Sequence, residues 1–68
     1  MKPVITLKKK FRVVVLSKCE GSTTTYWCTR SNAIDFLDKY SEIDLDFLAG
    51  IVQAKVGRSY ETIYSKTN

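Results

Sequence analysis

Ser41-Glu42-Ile43-Asp44-Leu45-Asp46-Phe47-Leu48-Ala49-Gly50-Ile51-Val52-Gln53-Ala54-Lys55-Val56-Gly57 is the stretch on which the fold turns. Leu45, Leu48, Val52 and Val56 recur three or four apart, and Phe47, Ile51 and Ala54 widen the stripe. That spacing predicts a helix running to about Val56, apolar enough to be buried on much of its circumference. Ser41-Glu42-Ile43-Asp44 offers a capping-box start with Asp in the Glu/Gln place. Glu42, Asp44 and Asp46 would then meet the positive end of the helix dipole, which explains the acidic cluster without a metal or a catalytic pair. Gly50 inside such a helix costs ~1 kcal/mol relative to alanine, an expense explained by close packing against a neighbour. Gly57 is a natural stop in the left-handed conformation.

Working upstream, Ala33, Ile34, Phe36, Leu37 and Tyr40 also fall at helical spacing, with Ser31 or Asn32 as the N-cap. Before them the character changes. Phe11 to Leu16 is β-branched and apolar, and Thr23 to Thr29 is β-branched and aromatic. Between the two lies Glu20-Gly21-Ser22, where Gly21 takes a positive φ readily. These features predict a hairpin pairing about 11–18 with 23–29. Val4-Ile5-Thr6-Leu7, after Pro3, fits a third strand or the start of a long first one. Downstream, residues 59–68 read two ways. Tyr60, Thr62, Ile63 and Tyr64 have strand propensity, yet Tyr60, Ile63, Tyr64 and Thr67 lie on one helical face with Ser59 as a cap, and the helix is preferred.

The resulting expectation is an α+β domain: an N-terminal antiparallel hairpin or three-stranded sheet (about 4–30) packed against two or three C-terminal helices (about 31–67). The 68 residues leave room for one domain and one core. A core of that size rarely supplies more than ~3–5 kcal/mol of net stability, so association into a homodimer is another route to buried surface.

The segment Val52 to Tyr64 resembles the turn of helix-turn-helix DNA-binding domains. Val52 and Val56 with Gly57 would end one helix, Ser59 would cap the next, and Ile63 would anchor it. With helices at 32–40 and 44–56, the resemblance implies a three-helix unit that reads DNA. Gln53 departs from it, standing where the motif packs a small residue, and so does Arg58, where a small apolar residue is commoner. The other reading is an ordinary helix stop followed by a capped segment.

Charge points the same way by a different route. The formal net charge is +4, but residues 1–30 hold Lys2, Lys8, Lys9, Lys10, Arg12, Lys18 and Arg30 against Glu20 alone. Asp35, Asp38, Glu42, Asp44 and Asp46 outnumber Lys39 and Lys55 in residues 31–56. A basic N-terminal half suggests a polyanionic partner on one face. Lys8, Lys9, Lys10 and Arg12, with Lys18, Arg30 and Arg58, are the candidate phosphate contacts. Tyr26 and Trp27 are candidates for stacking on bases or for docking a protein, although neighbours in a strand point to opposite faces. The leading expectation is a nucleic-acid-binding regulatory protein that uses the basic β surface. The alternative is an inhibitor or adaptor that holds a protein partner through the sheet edge or the exposed aromatics.

Chemistry has little to stand on. The chain has no histidine to act as a neutral-pH base and only two cysteines, too few for a four-ligand zinc site. Its three glycines are scattered, so no phosphate-cradling loop forms. A reactive Cys28 would lack an activating imidazole. These features predict no enzyme, metal or cofactor. Hairpin geometry separates Cys19 from Cys28 by about four strand residues, ~14 Å, which is too far for a disulfide. Free thiols suggest a reducing, cytoplasmic setting. No apolar run spans a bilayer, and Met1-Lys2 with the five uncharged residues that follow is too short for a secretory leader.

Overall fold

The computed structural model describes residues 9–67, which form β1 (Phe11–Ser17), β2 (Gly21–Trp27), α1 (Arg30–Ile43), β3 (Phe47–Val56) and β4 (Ser59–Thr67). The strands make one antiparallel sheet in the order β2-β1-β3-β4. Because β2 and β3 flank β1 and run parallel to each other, the chain must cross the sheet between them, and α1 is that crossover. The class is α+β, but the expected second and third helices do not form: the C-terminal half is one helix and a second hairpin. Lys8 and the expected strand segment 4–7 lie outside the described residues.

The stretch 41–57 divides. Ser41 to Ile43 completes α1, Asp44 ends it, and Phe47–Val56 is the inner strand β3. Its apolar run is nearly continuous because β3 has apolar neighbours on both faces. Gly50 and Val52 face the helix, while Ala49 and Ile51 line the other side with Val14 and Leu16. A run without polar gaps contains every period, the helical one included, which is how the helix reading arose. Glu42, Asp44 and Asp46 therefore stand at the C-terminal, negative end of a helix rather than at the start of one.

The glycine stop also has another role. Gly57 does hold a positive φ, +61°, but Arg58 does not, and the two residues alone connect β3 to β4. That is the type II′ hairpin pattern. Residues 59–67 are accordingly a strand, and the resemblance to a helix-turn-helix fails at the secondary structure. Opposite the Val52/Gln53 step of β3, Ile63 of β4 is an extra residue, a bulge that lets Ile63 and Tyr64 both pack against the core.

The first hairpin forms as expected, with its ends moved: Ser17 pairs with Gly21 and Phe11 with Trp27. Lys18, Cys19 and Glu20 make the loop, and Gly21 (φ +73°) closes it. Cys19 and Cys28 lie at opposite ends of this hairpin, both exposed and free. The first helix also forms, longer than its 32–40 pattern. Its N-cap is Thr29 rather than Ser31 or Asn32, the Thr29 Oγ1 accepting from the Asn32 amide at 3.3 Å.

α1 covers one face of the sheet. Val13, Val15, Ala33, Leu37, Phe47 and Val52 form the core there, with Phe11, Trp27, Ile34, Phe36, Tyr40, Ile63 and Tyr64 around them. Leu37 lies over Gly50, where an added methyl would overlap Leu37 Cδ1 and crowd Phe47 Cε1 at 3.3 Å. The glycine thus marks closest approach of helix to sheet. Polar ties secure the helix: Tyr64 donates to Asp38 Oδ1 (2.7 Å), Lys66 donates to the same oxygen (3.3 Å), and Tyr40 donates to Glu20 (3.1 Å). No helix among the described residues is long and apolar enough to cross a membrane.

Candidate nucleic-acid interface

Strand alternation and register fix what the face turned away from α1, open among the described residues, presents. Residues paired across β2, β1, β3 and β4 give four rows. Nearest the β3–β4 turn, Lys55 stands between Tyr60 of β4 and Lys10, whose carbonyl accepts from the Lys55 amide at 2.7 Å. The next row is Tyr26, Arg12, Gln53 and Thr62; then Thr24, Val14, Ile51 and Ser65; then Ser22, Leu16, Ala49 and Thr67. None of the chain's seven carboxylates falls in these rows. Glu61 pairs with Ala54 and so points to the helix side, and the other six lie on α1 or in loops.

Lys10 and Lys55 are like charges directly opposite one another, an arrangement that costs stability in a sheet. Arg12 is held in place. Its Nε donates to Gln53 Oε1 at 2.6 Å, Gln53 Nε2 donates to Thr62 Oγ1 at 3.3 Å, and the guanidinium carbon lies 3.8 Å from the centre of the Tyr60 ring. This cation–π stack fixes the guanidinium plane and leaves its Nη donors without a partner among the described residues. Tyr26, across from Arg12, is 50% exposed.

The same end of the molecule gathers more positive charge. Lys9 and Lys10 precede β1, Arg30 opens α1, and Arg58 is in the β3–β4 turn; all are exposed. Arg30 sits in a first turn that contains no acidic residue, so the helix dipole adds to this potential instead of offsetting it. Six cations (Lys9, Lys10, Arg12, Arg30, Lys55 and Arg58) share this end with two carboxylates, Glu61 on the helix side of β4 and Asp35 of α1 beside Trp27 and Asn32. The only ion pair within 4 Å among the described residues is Lys66–Asp38, at 3.3 Å elsewhere. The opposite end is acidic, with Glu20, Glu42, Asp44 and Asp46 around Lys18.

The structure therefore brings together Lys9, Lys10, Arg12, Arg30 and Arg58 of the residues picked from sequence, and separates Lys18 from them. It also splits the aromatic pair. Trp27 faces the helix, stacked on Phe36 (centroids 5.0 Å apart) with its Nε1 donating to Thr25 Oγ1 at 2.9 Å. Tyr26 is the one left on the open face. Sequence reasoning missed Lys55, Gln53 and Tyr60. The signal was Gly57-Arg58: read as a two-residue hairpin turn, it sets 53–56 beside 59–62 and delivers all three.

Cysteine chemistry is muted at the acidic end. The Cys19 thiol donates to Asp46 Oδ2 at 2.7 Å, and this bond, with the nearby negative charge of Asp46, raises the thiol's pKa and keeps it protonated. No group of three or more potential metal ligands clusters among the described residues. No protein-family model, curated protein or solved structure matches this chain.

Proposed function

We propose that this chain is a small, non-catalytic nucleic-acid-binding protein that acts by occupying its target. The observation that carries the reading is the cluster of six cations at one end of the sheet, none in an ion pair among the described residues and two of them opposite each other as Lys10 and Lys55. A fold gains nothing from such a pair by itself, whereas a phosphate backbone supplies the missing counter-charge. The α1 N-terminus adds to the same potential.

A second reading has its own support. Leu45 is 95% exposed and Ile43 77%, and both lie beside the acidic end with the half-exposed Leu16. Exposed aliphatics beside carboxylates suit a protein partner, in keeping with an inhibitor or adaptor. Affinity capture from a lysate, with and without nuclease, separates the two. Nuclease-sensitive recovery that disappears in a Lys10→Glu/Lys55→Glu variant is the expected result. A stoichiometric protein partner that survives nuclease and binds the variant equally would overturn the proposal in favour of the second reading.

A further inference from the structure

We infer that the preferred ligand is single-stranded nucleic acid, its bases laid on the open sheet face at Tyr26 and the Arg12–Tyr60 stack; the inference rests on the nucleic-acid reading above. Three independent features of the face converge on it.

The first is width. The face turned away from α1 is four strands wide, about 14 Å across at the usual strand spacing. A duplex major groove, ~12 Å wide, admits a helix or a two-stranded ribbon but not a four-stranded sheet presented flat. A single strand has no such limit, because its unpaired bases lie down on the surface.

The second is the pair of π surfaces. Tyr26 is half exposed on one side of Arg12, and on the other Arg12 lies over Tyr60 at 3.8 Å. A tyrosine ring and a guanidinium plane are both stacking partners for a base, and neither distinguishes strongly among bases. The hydrogen bond from Arg12 to Gln53, braced in turn by Thr62, holds the guanidinium in place before a ligand arrives.

The third is charge. The open rows hold Lys10, Arg12 and Lys55 and no carboxylate, and Arg58 sits in the adjacent turn. Phosphates following the stacked bases would run along that basic margin. The neighbouring rows offer Thr24, Ser22, Thr62, Ser65 and Thr67, whose hydroxyls both donate and accept. The ligand is thus held by stacking and phosphate contacts, with weak sequence preference.

The test is fluorescence anisotropy with one labelled oligonucleotide of about twelve nucleotides, presented single-stranded and as its duplex, at low salt. The single strand should bind more tightly. Tyr26→Ala should weaken it about 5- to 150-fold, the range found for removing one base-stacking partner, while Tyr26→Phe, which keeps the ring, should bind as wild type. Duplex binding should be unchanged by either substitution, and thermal melts confirm that both variants fold. Equal affinity for the two forms, or a Tyr26→Ala variant that binds the single strand as wild type does, would overturn the inference and leave the electrostatic reading standing. Failure of both forms to bind at low salt would remove both.

Discussion

The two faces of this sheet are built from the same strands and follow opposite rules. On the helix side, Val13, Val15 and Val52 meet Leu37 and Phe47 with almost no exposed area, and even a glycine, Gly50, is there because nothing larger fits. On the open side, the central strands present Arg12, Lys55 and Gln53, and the aliphatic residues between them remain partly in water. One face spends its residues on stability, and the other is left with charge and aromatic rings in an arrangement that folding does not require. If that division is real, substitutions on the two faces should separate cleanly into those that unfold the protein and those that change only what it binds.

The largest break should come from Leu37→Ala. Leu37 is fully buried, and truncating a buried leucine costs ~2–5 kcal/mol. A domain of this size holds about that much in total, so chemical denaturation should find the variant largely unfolded in buffer. Gly50→Ala comes next. The added methyl meets Leu37, itself fully buried, and overpacking of this kind costs ~1–3 kcal/mol. A melting temperature equal to wild type would mean that the helix does not sit on β3 as described. On the other face, Tyr26→Ala should lower stability by less than ~1 kcal/mol in the same denaturation experiment, because a half-exposed edge-strand residue contributes mainly strand propensity.

The smallest effect concerns pH and the ties that hold α1 to β4. The hydrogen bond from Tyr64, and after it Lys66, keeps the Asp38 carboxyl below the ordinary carboxylate range. A carboxylate whose pKa is lowered by folding contributes stability that is complete above its unfolded pKa and is lost as pH falls through the folded value. Asp38→Asn should therefore flatten the loss of stability on acidification below about pH 4, the unfolded carboxylate range. The change should be slight, since Asp38 and Lys66 are each more than a third exposed and solvent screens the pair. Melting curves at neutral and acidic pH in wild type and variant measure it.

Legibility in the sequence followed how each strand is surrounded. β1 and β2 announced themselves through Val13-Val14-Val15 and the threonine run, since β-branched residues in number leave little doubt, and α1 through Ala33, Leu37 and Tyr40 on one face. β3 and β4 were read as helices. β3 is an inner strand with apolar neighbours on both sides, so the alternation that identifies a strand was filled in by Ala49 and Ile51. Gly57 was read correctly as a positive-φ residue, but a helix terminus and a type II′ turn demand the same conformation of it. That single ambiguity hid half of the site. The basic N-terminal segment and Arg58 were visible as charge, but their completion by Lys55, Gln53 and Tyr60 needed the second hairpin. Lys18, close in sequence to the other cations, was carried to the far end by a strand of seven residues.

The central claim, that the basic end is a phosphate-binding surface, is tested most directly by the salt dependence of single-strand binding. If Lys9, Lys10, Lys55 and Arg58 each neutralise one phosphate, log K should fall against log salt with a slope of about −2.8, and a fourfold rise in salt should weaken binding about 50-fold. Lys10→Ala/Lys55→Ala should flatten that slope by about 1.4. Lys18→Ala, at the acidic end, should leave it unchanged. A slope near zero in wild type, or one that the double variant does not alter, would contradict the account.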